Sequence, residues 1–382
     1  MRQPPRLIDA AALPVYDLGT NHPFARHRHL PLFDLLRRHA LFAPEDLLPS
    51  AVAAHRDLAL AHTPAYIAAV EALSADRPTP AAKAQAWQFG LGSSDNPFGP
   101  GLHHSAASIA GATLACARAV ASGEARAAFN PAGGLHHAMA DRASGFCVYS
   151  DLVVAIREAQ RLGCPNVLYV DFDVHAGDGV AAAFAADPSV LTLSFHQDPD
   201  TLFPGTGYVH ERGVGSGVGT TVNVPLAPYT GDASWLHCVR TVLPAVAEAF
   251  APDLIVSQHG CDPHFSDPLG QLRVNTQAMG EAAVLTRELA ERLCGGRWVA
   301  TGGGGYQPYS VIPRAWSWVW CVMAGRAVPE RLDAGWRAHW SEVSGERLPE
   351  TWRDGVVRNE AEAQAGAQNE RTLRVVMAGR AG

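Results

Sequence analysis

The chain of 382 residues has no run of about 18 apolar residues, so a membrane-spanning helix is not expected. Its N-terminus, MRQPPRLIDAAALPVYD, also lacks the apolar stretch of a secretory signal, and the expected compartment is the cytoplasm. Cysteines are few and scattered. The seven (Cys116, Cys147, Cys164, Cys238, Cys261, Cys294 and Cys321) are odd in number and never spaced C-x-x-C. That fits reduced thiols of a cytosolic protein better than a disulfide framework or a cysteine zinc site. Cys147 and Cys261 lie beside polar motifs, which leaves each a candidate nucleophile as well as a small buried residue. Positive charge is also short, with 30 Lys+Arg against 37 Asp+Glu and a net charge of -7, which argues against a broad nucleic-acid footprint. No composition break, repeat or low-complexity segment divides the chain. One domain over residues 1–382 is expected, its last fifty or so more charged residues forming peripheral helices.

What is present centres on Asn166 to Val180, NVLYVDFDVHAGDGV. An apolar run, Val167 to Val170, breaks into Asp171, Asp173, His175 and Asp178, the pattern of a buried strand opening into a loop. Alternation along an extended backbone turns Asp171, Asp173 and His175 the same way. Carboxylates with a neutral imidazole are ordinary ligands for zinc or another divalent transition metal. An EF-hand starting at Asp171 fails, because its sixth and twelfth positions are Ala176 and Ala182. Helix capping accounts for Asp178 alone, ahead of helix-like Val180 to Ala186.

Four further strand-like runs, each entering polar or glycine-rich sequence, are Ala125–Asn130, Val190–His196, Leu254–Gln258 and Trp298–Thr301; Leu13 to Asp17 reads as another short strand. Helix-length segments between them predict a parallel sheet with helices on both faces and a site beyond the carboxyl ends of the strands. Helices are expected over Pro31–Arg38, over 62–76 with Thr63 as N-cap and Pro64 first, and over Ala106–Ser122. The best third metal ligand is Asp262 in SQHGCDP, with His259 and His264 as rivals; such a set leaves an open coordination position. His136-His137, after a Pro-Ala-Gly-Gly turn, suits general acid and base work, with Asp171 and Asp178 available to orient the rings. His103-His104 receives no role. Tyr306 closes TGGGGY, a run without the Gly-Lys-Ser/Thr of a phosphate loop, and a phenol there suits an oxyanion. Gly205 to Gly219 reads as a flexible surface loop. In NHPFARHRH the default is surface solvation, the alternative being that Arg28 reaches an anionic product.

GGLHHA with ASGFCVYSD, YVDFDVHAGDGV, LFPGTG, SQHGCDPHFSDPLG and GGGGY, in this order, resemble the histone deacetylase family of the arginase/deacetylase fold over roughly residues 14 to 325. NHPFARHRH and CGGRWVATGGGGYQPYSVIPRAW look most like its bacterial acetoin-utilisation branch. The resemblance implies an α/β fold, a single three-layer domain with a parallel, mainly eight-stranded sheet between helices. It implies Zn²⁺, or Fe²⁺, on Asp173, His175 and Asp262; His136 and His137 as the catalytic pair backed by Asp171 and Asp178; and Tyr306 as transition-state donor. It further implies tunnel walls at Gly145, Phe146 and Phe203, with Leu269 and Gly304 also meeting substrate, a rim aspartate at Asp95, and Arg28 at an acetate pocket. A structural K⁺ would use Asp171 and Ser194 with carbonyls of Asp173, His175 and Phe195. The implied reaction removes acetyl groups from lysine side chains of a protein or peptide, an acyl-CoA synthetase among them. Small-molecule deacetylation of acetylpolyamines and an inactive acyl-lysine-binding module are the alternatives; arginase chemistry would need a two-metal ligand set that is not found. One departure stands out: the family commonly has His-His-Gly-Asp-Gly where this chain has Ala176 after His175.

Overall fold

A computed structural model describes residues 3–379, so the outermost positions of the expected 1–382 domain lie outside the described residues. Seven strands form one sheet: β1 (Arg6–Leu7), β2 (Ala127–Asn130), β3 (Val167–Asp171), β4 (Val190–Gln197), β5 (Thr221–Leu226), β6 (Leu254–Gln258) and β7 (Trp298–Thr301). Their order is β1-β2-β7-β6-β3-β4-β5, and every neighbouring pair is parallel. Parallel neighbours need crossovers, and helices supply them on both faces. Alternation divides the strand side chains between two cores. Val167, Tyr169, Val256 and Val299 join Cys116, Leu152 and Ile156 on one face. Leu168, Val170, Ile255 and Trp298 join Trp235 and Trp316 on the other.

The three-layer expectation holds with one correction: the described residues give seven strands, not eight. At one edge β1 pairs over two residues only. At the other, the helix Glu362–Ala378 packs on β5, and its Asn369 side chain accepts from Ala227 N at 2.8 Å. Leu13 to Asp17 forms no strand; Pro14 has no N–H to donate to a ladder, and Tyr16 instead donates its hydroxyl to Phe146 O at 2.7 Å. β5 was hidden in TVNVPL by its polar residues and by Pro225, which an edge strand tolerates. Thr63 caps the helix Pro64–Leu73, its side chain accepting from Tyr66 N as expected. The long Ala-rich helix runs Leu102–Ala121.

Register aligns the strand ends that matter. Asp171 lies opposite Ser194 on β4 and Gln258 on β6, Gln258 opposite Thr301, and Thr301 opposite Asn130. The loops after β2, β3, β6 and β7 therefore leave the sheet at one level, while β4 continues past Ser194 to Gln197. The C-terminal residues are less peripheral than their charge implies, since Trp336 and Trp352 are fully buried. Asp354 pairs with Arg314 at 2.7 Å and His264 at 3.0 Å beneath the loop after β6.

Candidate active site

β3 delivers Asp171 at its last position, and the chain beyond it folds back so that Asp173 and His175 reach the same point as Asp262 from the loop after β6. His175 Nδ1 stands 3.0 Å from Asp173 Oδ1 and 3.1 Å from Asp262 Oδ2. One ligand atom from each of the three lies within 4.8 Å of the other two, and all three residues are buried. Backbone and side-chain donors fix the carboxylates: Val174 N reaches Asp262 Oδ1 at 2.9 Å, while Gly304 N at 2.7 Å and Gln258 Nε2 at 2.6 Å both reach Asp173 Oδ2. A side chain at 304 is excluded, because a Cβ there would meet Asp262 Oδ2 at 2.0 Å.

Burial and the nearby Asp173 push Asp262 up to about 8. Asp173 is held well below the usual carboxylate range in spite of burial, by His136 and His175. Burial opposes the charging of His175, but its hydrogen bonds to the two carboxylates push it up to about 10. Two buried carboxylates aimed at one imidazole nitrogen form a site that a divalent cation fits, since it would neutralise the repulsion that drives Asp262 upward.

The histidine pair stands beside it. The His136 and His137 rings are 3.9 Å apart, and each uses Nδ1 for a carboxylate: His136 on Asp171 Oδ2 at 2.8 Å, His137 on Asp178 Oδ1 at 2.6 Å. Burial lowers both, but Asp171 and Asp173 outweigh it at His136, which rises to about 9. At His137 burial and the neighbouring His136 prevail, and its pKa falls to about 4. The capping reading of Asp178 is corrected: the N-cap of the helix Asp178–Phe184 is Gly177, with no side-chain cap, and Asp178 is the first helical residue, its carboxylate holding His137.

Phe203 meets the His137 ring edge-on at 5.0 Å, and Phe146 meets Tyr306 at 5.9 Å, which sets one phenylalanine against the histidine pair and the other against the phenol. Gly145 adopts φ +50°, and a Cβ there would press on His137 Cδ2 at 2.4 Å; the next residue, Phe146, is itself left-handed at +68°. Tyr306 N donates to Asp267 Oδ2 at 2.9 Å, and burial with Asp262 raises its phenol well above the usual value. Leu269 N donates to the other oxygen of Asp267 at 2.9 Å. Asp95 is exposed, and its carbonyl accepts from His22, whose ring packs on Phe146 at 4.5 Å.

The histone deacetylase domain matches residues 22–323 of this sequence. The chain belongs to the histone deacetylase family. It is 41% identical over 339 residues to the acetoin utilization protein AcuC of Bacillus subtilis (strain 168), covering 89% of this chain and 87% of that protein. Against the protein of the same name from Staphylococcus aureus (strain MRSA252) the identity is 35% over 340 residues, with the same shares covered. The crystal structure of an HDAC homologue from Aquifex aeolicus superposes with a TM-score of 0.87 at 30% identity, over 98% of this chain and 100% of the other. An HDAC homologue complexed with SAHA gives 0.85 at 30% identity, with the same coverage. Membership supports a deacetylase that hydrolyses an amide. Among the described residues no helix is long and apolar enough to cross a membrane.

Family membership and geometry sort the remaining expectations. His264 and His259 do not join the three ligands: His264 pairs with Asp354, and His259 with Ser257 at 2.8 Å. The thiols of Cys147 and Cys261 are buried and raised well above the ordinary value by that burial, which removes both as nucleophiles. Arg28 is a correction to the surface-solvation default: it is 2% exposed, held over Phe24 and Trp316 at 4.2 and 4.8 Å, and donates to Gly303 O. Its Nε and Nη1 have no protein partner. Ser194, opposite Asp171, hydrogen-bonds His196 Nδ1 at 2.8 Å, and Phe195 is fully buried against Phe172. Residue-level reasoning passed over Gln258, Asp267, Asp151 and Tyr16. Asp151 accepts from Leu135 N at 2.8 Å and from Gly134 N, shaping the turn ahead of the histidines. Gln258 and Asp267 both sit inside the quoted motif SQHGCDPHFSDPLG, and that was the available signal.

Proposed function

We propose that this chain is a metal-dependent protein-lysine deacetylase that releases acetate from acetylated lysine side chains. The observation that carries the reading is the convergence of Asp173, His175 and Asp262 on one point beside two carboxylate-held histidines. Those three residues would hold the ion, zinc by preference of their donor types and ferrous iron as the substitute. A bound divalent cation supplies Lewis-acid polarisation of the amide carbonyl and a lowered pKa for the attacking water.

The chain's own residues do the rest. Because both histidines give Nδ1 to a carboxylate, Nε2 of each is the atom that moves a proton; His136 Nε2 faces Asp173 Oδ1 at 3.9 Å. The pair takes a proton from water as its oxygen attacks the carbonyl carbon. The phenol of Tyr306, kept neutral by burial, donates to the developing oxyanion. His137 then delivers a proton to the lysine nitrogen as the C–N bond breaks, leaving acetate and free amine. Phe146, Phe203, Gly145, Leu269 and Gly304 bound the path for an aliphatic acyl-lysine arm, and Asp95 at the rim accepts from the substrate backbone. Arg28, with two unpartnered nitrogens beside a cavity of about 50 Å³, receives acetate. A structural K⁺ is assigned to Asp171 and Ser194 with the carbonyls of Asp173, His175 and Phe195. The relatives' name, acetoin utilization protein, favours an acylated metabolic enzyme such as an acyl-CoA synthetase as the physiological substrate.

Asp95, exposed and anionic, also suits a cationic polyamine, so the test compares two amides. Purified protein is given an acetyl-lysine peptide or acetylputrescine, and acetate is followed before chelation, after it, and with zinc restored. Peptide turnover that is lost and regained with the metal supports the proposal. Turnover of acetylputrescine alone, or peptide turnover indifferent to chelator, overturns it.

A further inference from the structure

Away from the site just described, three helices bring a second set of metal-ligating side chains together. His55 starts the short helix His55–Leu58, Glu71 lies in the last turns of Pro64–Leu73, and His103 is near the start of Leu102–Ala121. His55 Nε2 stands 3.3 Å from Glu71 Oε2. That is close to the separation of about 3.4 Å between two ligands of a tetrahedral ion with bonds of about 2.0–2.1 Å. One ligand atom from each of the three lies within 4.8 Å of the others. The imidazole of His103 is already oriented from behind, its Nδ1 lying 2.9 Å from the hydroxyl of fully buried Tyr149. With Nδ1–H donated to that hydroxyl, Nε2 keeps its lone pair, which is how a ligating histidine is usually supported.

The backbone beneath is fixed. His103 N donates to Ser74 Oγ at 2.8 Å and Gly101 N to Ser74 O at 3.1 Å, tying the end of one helix to the start of another. Ala53 N donates to Ala107 O at 3.0 Å and anchors the approach to His55. His55 and Glu71 are exposed, so no packed neighbour holds their side chains away from the set. The helix dipoles pull in opposite senses: the starts of two helices disfavour added positive charge, whereas the C-terminal turn carrying Glu71 favours it.

We propose that His55, Glu71 and His103 form a second divalent-cation site, of the borderline class that imidazole and carboxylate bind together, which clamps three helices. Through Tyr149 the clamp bears on the segment that carries Gly145 and Phe146, since Tyr66 also holds that segment, donating to Val148 O at 2.6 Å. The site is weaker than the buried one because two of its ligands are exposed, and it fills second.

The test is titration of zinc into chelator-stripped full-length protein by calorimetry, with thermal melts at each stoichiometry. Wild type is expected to take two equivalents, the second raising Tm. His55→Ala and Glu71→Gln alter exposed side chains only; each should remain folded, keep the first equivalent, and weaken the second at least tenfold with loss of its Tm increment. A single equivalent in wild type, or wild-type stoichiometry and melting in either variant, overturns the proposal.

Discussion

The side-chain amide of Gln258 donates to Asp173 Oδ2 at 2.6 Å, while its oxygen accepts from Gly260 N at 2.7 Å. A residue on the final position of β6 thus fixes both a proposed metal ligand and the loop that carries Asp262. Outer partners of this kind typically govern 10- to 100-fold in metal affinity or activity. Gln258→Leu is expected to fold and to weaken zinc binding by about 10- to 100-fold, read by competition with a chromophoric chelator. Unchanged affinity would show that Gly304 N and His175 N orient Asp173 without the amide.

Tyr306 is the cleanest probe of transition-state stabilisation, because its backbone is pinned independently by Asp267. Tyr306→Phe should bind metal and peptide normally and lose on the order of 10²- to 10³-fold in kcat, the scale of one oxyanion donor. Steady-state kinetics decide the matter: a kcat near wild type, or a loss confined to KM, would remove the phenol from the chemical step.

How legible all this was in the sequence depended on period and on chemistry. β3, β6 and β7 are apolar runs that stop at polar residues, and β4 is apolar but for Thr192 and Ser194, so both their existence and the level of the site could be read from the chain. β1 is too short to show a period, and β5 mixes Thr and Asn with Val, so each is defined by its neighbours in the sheet. Asp173, His175, Asp262 and the histidine pair were legible as residue types the chemistry needs. Gln258 was not, since an amide advertises no catalytic role until a carboxylate is found within hydrogen-bond reach. For Arg28 polar sequence neighbours made solvation the default beside an anionic-product role, and only the folded chain places Phe24 and Trp316 around it.

Acid stability should be controlled by Asp354. The carboxylate is held well below the usual range: burial alone would raise it, but the hydrogen bond from His264 and the charge of Arg314 outweigh that. A depressed folded-state pKa contributes stability that is complete above the unfolded value of about 3.9 and is lost as pH falls toward the folded value. Asp354→Asn should therefore flatten the decline of Tm below about pH 4. At neutral pH it should cost about 3–5 kcal/mol, because Arg314, 3% exposed, would be left without its partner. Parallel acid limbs in variant and wild type would assign the acid lability elsewhere.

Ala176 is the chain's departure from the family pattern, and its surroundings make the consequence measurable. The residue is buried and lines a cavity of about 470 Å³ with Tyr169, Thr192, Ser194 and Gly207, open to solvent beside His210 and Arg212. The Thr192 hydroxyl has no protein partner. Restoring the imidazole with Ala176→His should fill space instead of creating strain, and should raise stability by about 0.5–2 kcal/mol, as cavity filling commonly does. His175 and Asp178 keep their own hydrogen bonds, so peptide turnover should stay within about tenfold of wild type, a change of less than about 1.4 kcal/mol in the barrier. The opposing constraint is Gly207, where the position of a Cβ already lies 2.8 Å from the Ala176 Cβ. A lowered Tm, the sign of the about 1–3 kcal/mol that overpacking costs, would overturn the prediction and assign control of this corner to that loop-to-loop approach.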